Sequence, residues 1–170
     1  LPGARAQVIA KGDAEEFAEL QARLPAATVR RLRAISQQQR LTLNTVVQGA
    51  WALLLSRYSG EADVVFGATT SGRPAAMPGV ESMIGLFLNT LPLRAQVDPA
   101  ANLLEWLHKL QTLQLEVRQY EYASLVEIQG WSDVPRGTPM FESLLAFENY
   151  PEMETMWTST ESISIREVEG

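Results

Sequence analysis

The 170-residue sequence contains no cysteine. That excludes disulfides, thiolate nucleophiles and cysteine-ligated metals together, and it fits a reducing cytoplasm. Histidine is nearly as scarce, with a single copy at His108. One histidine without cysteine leaves no transition-metal constellation, so no metal ligands are assigned. Acidic pairs such as Glu152 and Glu154 do not resemble a calcium loop. Basic charge is also short: a formal net charge of −6 argues against a nucleic-acid binder, which carries a basic footprint. Long apolar runs are missing too. The most apolar stretch, Val46–Leu55, is interrupted by Gln48 and Gly49 and is too short to cross a bilayer, so no membrane segment is expected. The chain opens LPGARAQ without a basic leader, and its strand-like Ser162–Val168 stops at Gly170 without a terminating signal. A piece of a larger polypeptide, cut at both ends, is the expectation.

What is present suits one domain with a real core: 46% hydrophobic and 20% charged residues, with no biased tract or internal repeat. Weak alternation suggests a strand at Arg5–Lys11. A clearer one runs over Glu16–Leu24 and ends at Pro25. A helix follows from Ala26 to Arg40, with Val29, Leu32 and Ile35 on one face. Its arginines, Arg30, Arg31, Arg33 and Arg40, read as a solvated surface rather than a contact for an acidic partner. Thr42 is placed to cap a second helix, Leu43–Tyr58, with Gly60 as its stop. Apolar residues cover most of that helix, which predicts burial on more than one side.

Asp63–Thr70 is a near-continuous apolar run, as expected for a strand covered on both faces. A Gly/Pro loop spans Ser71–Val80, and Ile84–Val97 forms one or two strands with Pro92 at an edge, bulge or break. Asn102–Tyr120 is the clearest helix, with Leu103, Trp106, Leu110, Leu113, Val117 and Tyr120 at spacings of three and four; packing onto a sheet is its expected use. A further helical turn at Ser124–Gln129, a turn-rich Trp131–Pro139 and strands at Phe141–Tyr150 and Glu161–Val168 complete the pattern. This order predicts an α/β fold with helices packed on a mixed sheet.

Little in the sequence resembles a catalytic centre. His108 falls on the outer face of its helix, whereas a general base must be held by a third group and aimed into a cleft. Gly67–Gly72 has the spacing of a phosphate loop, but Arg73 and Pro74 follow where lysine and a hydroxyl are needed. Strand C-terminal ends are the usual ligand sites of α/β sheets, which keeps Ser71 and Arg73 as candidates. The apolar IGLFLNTLPLR, Ile84–Arg94, carries one amide, Asn89. In such a segment that amide either satisfies neighbouring backbone or meets a ligand.

Four segments together resemble the C-terminal half of a condensation domain of a nonribosomal peptide synthetase. They are LTLNTVVQGAWALLLSRYSGEADVVFGATTSGRP (Leu41–Pro74), IGLFLNTLPLR, YEYASLVEIQGWSDV (Tyr120–Val134) and RGTPMFESLLAFENYP (Arg136–Pro151). The match runs from about Phe17 to Val168. Epimerisation domains share the fold but carry aromatic-Thr wording where this chain has Phe87-Leu88-Asn89-Thr90. The third block departs from the family pattern, with Tyr120-Glu121-Tyr122 and Ser124-Leu125 in place of its H-Q and P-F pairs. The family's catalytic HHxxxDG motif is absent, since there is one histidine.

The resemblance implies one lobe, residues 1–170, of a two-lobed, V-shaped fold similar to chloramphenicol acetyltransferase. It implies amide-bond formation in antibiotic or secondary-metabolite biosynthesis. The donor acyl and acceptor aminoacyl groups arrive as phosphopantetheine thioesters on two carrier proteins. Asn89, Ser71 and Arg73 are the implied substrate-channel residues. No catalytic residue is assigned to this lobe, which is expected to be inactive without its N-terminal partner lobe. Three rivals remain: a non-catalytic condensation-like docking module, a lobe of a coenzyme A-dependent acyltransferase, and an unrelated soluble α/β binding domain with no partner lobe.

Overall fold

The computed structural model describes residues 5–9, 17–70, 79, 82–85 and 87–148. The elements in chain order are β1 (Arg5–Ile9), β2 (Phe17–Gln21), α1 (Ala26–Gln38), α2 (Leu43–Ser59), β3 (Asp63–Thr70), β4 (Asn89–Gln96), α3 (Leu103–Arg118), α4 (Leu125–Trp131) and β5 (Leu144–Leu145). β1 and β2 form an antiparallel pair of their own. The main sheet has the order β4-β3-β5, with β3 antiparallel to β4 and parallel to β5, so it is mixed as the sequence predicts. The predicted Glu161–Val168 strand lies outside the described residues.

β3 is central between β4 and β5, with one face buried and Val65 and Thr69 on the other half-buried. Val64, Phe66 and Ala68 are buried, and their partners Ala95, Leu93 and Leu91 on β4 are buried too. β4 is an edge strand among the described residues, consistent with a proline that has no N–H to give to a further ladder. Pro92 stands opposite Gly67. A Cβ on Gly67 would sit 2.5 Å from the Phe141 ring, so the bare glycine lets that ring lie against the strand. Two expected strands are shorter in the fold. β4 begins at Asn89 rather than Ile84, whose side chain is fully exposed. Of the expected strand Phe141–Tyr150, residues 141–148 are described, and among these Leu144–Leu145 pairs with β3 while the Phe141 ring lies against Gly67.

The helix ends follow their caps. Thr42 accepts a hydrogen bond from the Thr45 amide at 3.0 Å, and Gly60 closes α2 in the left-handed conformation. Asn102 caps α3 through the Leu104 amide at 2.9 Å. α3 buries Trp106, Leu107 and Leu110; Leu103 and Tyr120, the ends of the predicted stripe, are exposed. The indole N–H of Trp106 donates to the Gln96 carbonyl at 2.6 Å and fastens α3 to the end of β4.

α2 departs from its pattern. Its fully buried residues are Thr45, Gln48, Gly49 and Ala52, while Leu54 and Tyr58 are exposed and Trp51 is half-buried. The reason is the close approach of α3: a Cβ on Gly49 would lie 2.5 Å from the Leu107 side chain, leaving room only for small residues at that point of the face. On α1 the buried residue is Ser36, and Ile35 is exposed instead.

Candidate functional site

Thr70 at the end of β3 stands opposite Asn89 at the start of β4. These two residues bracket the segment of sequence that carries Ser71 and Arg73, both of which lie outside the described residues. Asn89 is half-buried, and its side chain is fully engaged on the donor side. Its Nδ2 donates to the carbonyls of Glu121 and Ala123, each at 2.8 Å, and its Oδ1 accepts from the Thr90 amide at 2.8 Å. The amide therefore ties the first residue of β4 to the turn between α3 and α4. One lone pair of Oδ1 remains for another donor.

Beside this tie is a cavity of about 430 Å³ between α2, α3 and the sheet. Ala68, Leu91 and Leu93 give it an apolar floor, and Gln48, Gln114 and Glu121 line its walls. Those glutamines belong to a ladder that single residues did not reveal. The Thr45 hydroxyl donates to Gln114 Oε1 at 2.8 Å, and Gln114 Nε2 donates to Gln48 Oε1 at 2.6 Å. Gln48 Nε2 donates to Asn44 Oδ1 at 3.1 Å, while Gln111 Oε1 accepts from the Thr42 amide at 2.8 Å. A signal for the ladder does exist in the sequence: Thr45 and Gln48, like Gln111 and Gln114, are uncharged polar pairs three residues apart on one helix.

Charge near the site is sparse. Arg118 approaches Glu121 at 3.9 Å, a loose contact. The bidentate pair of Arg94 with Asp63 lies at the far end of β3, exposed; there the guanidinium holds the Asp63 carboxyl below its usual range and is itself raised. His108 is exposed on the outer face of α3, as its position in the stripe predicts. Among the described residues no group of three His, Asp or Glu side chains is placed to hold a metal. The arrangement offers neutral hydrogen-bonding amides over an apolar floor.

A family model described as "Condensation domain" matches residues 6–169. One of the linear gramicidin synthase proteins of Brevibacillus parabrevis is 59% identical over 139 residues, 82% of this chain and 3% of that protein. A second protein of the same synthase is 52% identical over 159 residues, 94% of this chain and 2% of its own length. The chain thus spans a few per cent of these relatives. Among solved structures, the first condensation domain of the calcium-dependent antibiotic synthetase has the same fold. Its TM-score is 0.61 at 18% identity, over 90% of this chain and 29% of that one. Its sheet and helices are those of the chloramphenicol-acetyltransferase-like fold that the sequence predicts. The chain belongs to the condensation-domain family of the nonribosomal peptide synthetases.

Proposed function

We propose that residues 1–170 are the C-terminal lobe of a condensation domain and form one wall of a tunnel whose other wall is an N-terminal lobe bearing HHxxxDG. In the reaction of the whole domain, the acceptor amine attacks the donor thioester carbonyl. A C–N bond forms, the C–S bond breaks, the donor's phosphopantetheine thiol leaves, and the amine gives up a proton. Holding both tethered reactants in one tunnel supplies much of the acceleration, because the encounter becomes effectively intramolecular. The histidine of the partner lobe orients the amine or takes its proton. This lobe contributes the Asn89 Oδ1 lone pair, suited to accept from a pantetheine amide N–H, together with Ser71 and Arg73.

The observation that carries this reading is an apolar surface around the turn that Asn89 holds. Tyr122 is 81% exposed, Val126 79% and Trp131 66%, and α4 buries none of its residues. A helix capped this firmly but left without a core fits a surface that another lobe covers. The other partners in this reading are the donor and acceptor carrier proteins, and the setting is the cytoplasm. No helix among the described residues is long and apolar enough to cross a membrane.

The test mixes this chain with the matching N-terminal lobe and two loaded carrier proteins, and reads the amide product by mass spectrometry. Product is expected from the mixture and none from the chain alone; turnover by the chain alone would overturn the reading. Replacing the donor carrier with acyl-coenzyme A separates the reading from a coenzyme A-dependent acyltransferase. A mixture that binds but never turns over would identify a docking module.

A further inference from the structure

The cavity beside Asn89 carries one charged acceptor. Among the described residues that line it, Glu121 is the single carboxylate and Arg118 the single cation. The Glu121 side chain keeps only 12% exposure, yet no described residue donates a hydrogen bond to its carboxylate. Arg118 Nε stands 3.9 Å from Oε1, beyond hydrogen-bond reach, and its own side chain is 62% exposed. The polar side-chain atoms sealed without a partner among the described residues are Ser36 Oγ and Thr70 Oγ1, so the Glu121 oxygens remain accessible. A mostly buried carboxylate without hydrogen bonds is costly, and it points to a cationic donor that the described residues do not supply.

The backbone on either side holds Glu121 in place. Its N–H donates to the Arg118 carbonyl at 3.2 Å, and its carbonyl accepts from Asn89 Nδ2 at 2.8 Å. The other side-chain amide oxygens on the wall are committed: those of Gln111, Gln114, Gln48 and Asn44 each accept a hydrogen bond already. A hard metal ion fits poorly, because it takes about six to eight oxygens and no group of three such ligands exists among the described residues. Ala68 and the half-buried Val117 and Phe147 give the same cavity apolar wall.

We propose that this cavity binds a primary ammonium group borne on an apolar body, with the Glu121 carboxylate as its counter-ion. An ammonium is compact and carries three donors, so it can reach a carboxylate that the bulkier Arg118 guanidinium leaves without a hydrogen bond. Its carbon body lies over Ala68, Val117 and Phe147. The amine replaces Arg118 beside the carboxylate, and a loose pair with an exposed arginine is weak enough to be displaced. The α-amine of an aminoacyl group and an amine on a substrate side chain share this chemistry. The site lies within the one lobe, so it can fail while the lobe assignment stands.

The test follows the backbone amide resonances of Val117 and Glu121 in the full 170-residue chain while amines are added at constant ionic strength. The probes are L-leucinamide, for an α-amine, and Nα-acetyl-L-lysinamide, for a side-chain amine. N-acetyl-L-leucinamide supplies the apolar body without the charge, and ammonium chloride the charge without the body. At least one of the two amines should give saturating shifts, and the one that does so identifies the source. Glu121→Gln keeps the shape and removes the charge, and should raise the half-saturating concentration about tenfold or more. Arg118→Gln removes the competing cation and should lower it about twofold or more, a gain that damage to the fold cannot mimic. Both variants should unfold at the parent's midpoint, since the Glu121 carbonyl that Asn89 holds is retained. Failure of both amines to saturate would overturn the proposal, as would saturation by N-acetyl-L-leucinamide, or by ammonium chloride at the same concentration. So would a half-saturating concentration unchanged in Glu121→Gln, or one not lowered in Arg118→Gln.

Discussion

Asn89 donates both of its amide hydrogens to carbonyls of one turn. Aspartate lacks the donors to copy this, and alanine leaves the Glu121 and Ala123 carbonyls without them. Asn89→Ala should therefore destabilise the chain by roughly 1–3 kcal/mol in urea unfolding and speed hydrogen exchange in residues 119–124. Asn89→Asp should be at least as damaging, since a carboxylate would face two carbonyl oxygens. Gly67 is equally constrained by its neighbour. Gly67→Ala should cost about 1–3 kcal/mol, because the new methyl would meet the Phe141 ring. Phe141→Leu in the same chain should recover part of that loss. In the sequence, Asn89 stands out as an amide in an apolar segment. The carbonyls that receive it are not legible there, because they lie 32 and 34 residues away.

Among the elements, α4 is held by its start rather than by packing. Ser124 and Glu127 form a reciprocal capping box, and the Glu127 carboxyl is lowered from its ordinary value of 4.5, first by the Ser124 backbone N–H and then by its hydroxyl. A carboxyl lowered in the folded state contributes stability above its unfolded value and loses it as pH falls through the folded one. Glu127→Gln should thus lower α4 helicity near neutral pH, and the difference from the parent chain should vanish on acidification below that window. Circular dichroism of the two chains, from neutral pH down to about pH 2, is the measurement. Between α2 and α3 the glutamine ladder joins the helices on the face where Leu107 packs against Gly49. Gln114→Leu removes the closer of the two glutamine acceptors of the Thr45 hydroxyl, leaving Gln111 Oε1 at 3.1 Å, and removes the donor to Gln48; it should cost roughly 1–3 kcal/mol. The double variant with Thr45→Val should lose less than the sum of the two single changes.

For the molecule entire, the exposed apolar surface around α4 is the feature that a solitary domain does not need. Val126→Ser and Trp131→Ser should leave the chain's own unfolding midpoint nearly unchanged, since both side chains already face solvent. In the same variants, affinity for the N-terminal lobe should fall about tenfold or more, as expected for aromatic and aliphatic anchors at the centre of an interface. Titration calorimetry with that lobe would show it. Unchanged affinity would place the lobe contact elsewhere.

Local pattern sufficed for the helix starts at Thr42, Asn102 and Ser124, the stop at Gly60, the buried course of β3 and the family. Each of these depends on residues within a few positions of one another or on blocks in fixed order. Long-range packing alone set which face of α2 is buried, laid the Phe141 ring against Gly67 and tied Asn89 on β4 to a distant turn. Those outcomes depend on how closely two helices approach and on which ring lies over which glycine. Such contacts join residues far apart in the chain, and neighbouring residues carry no record of them.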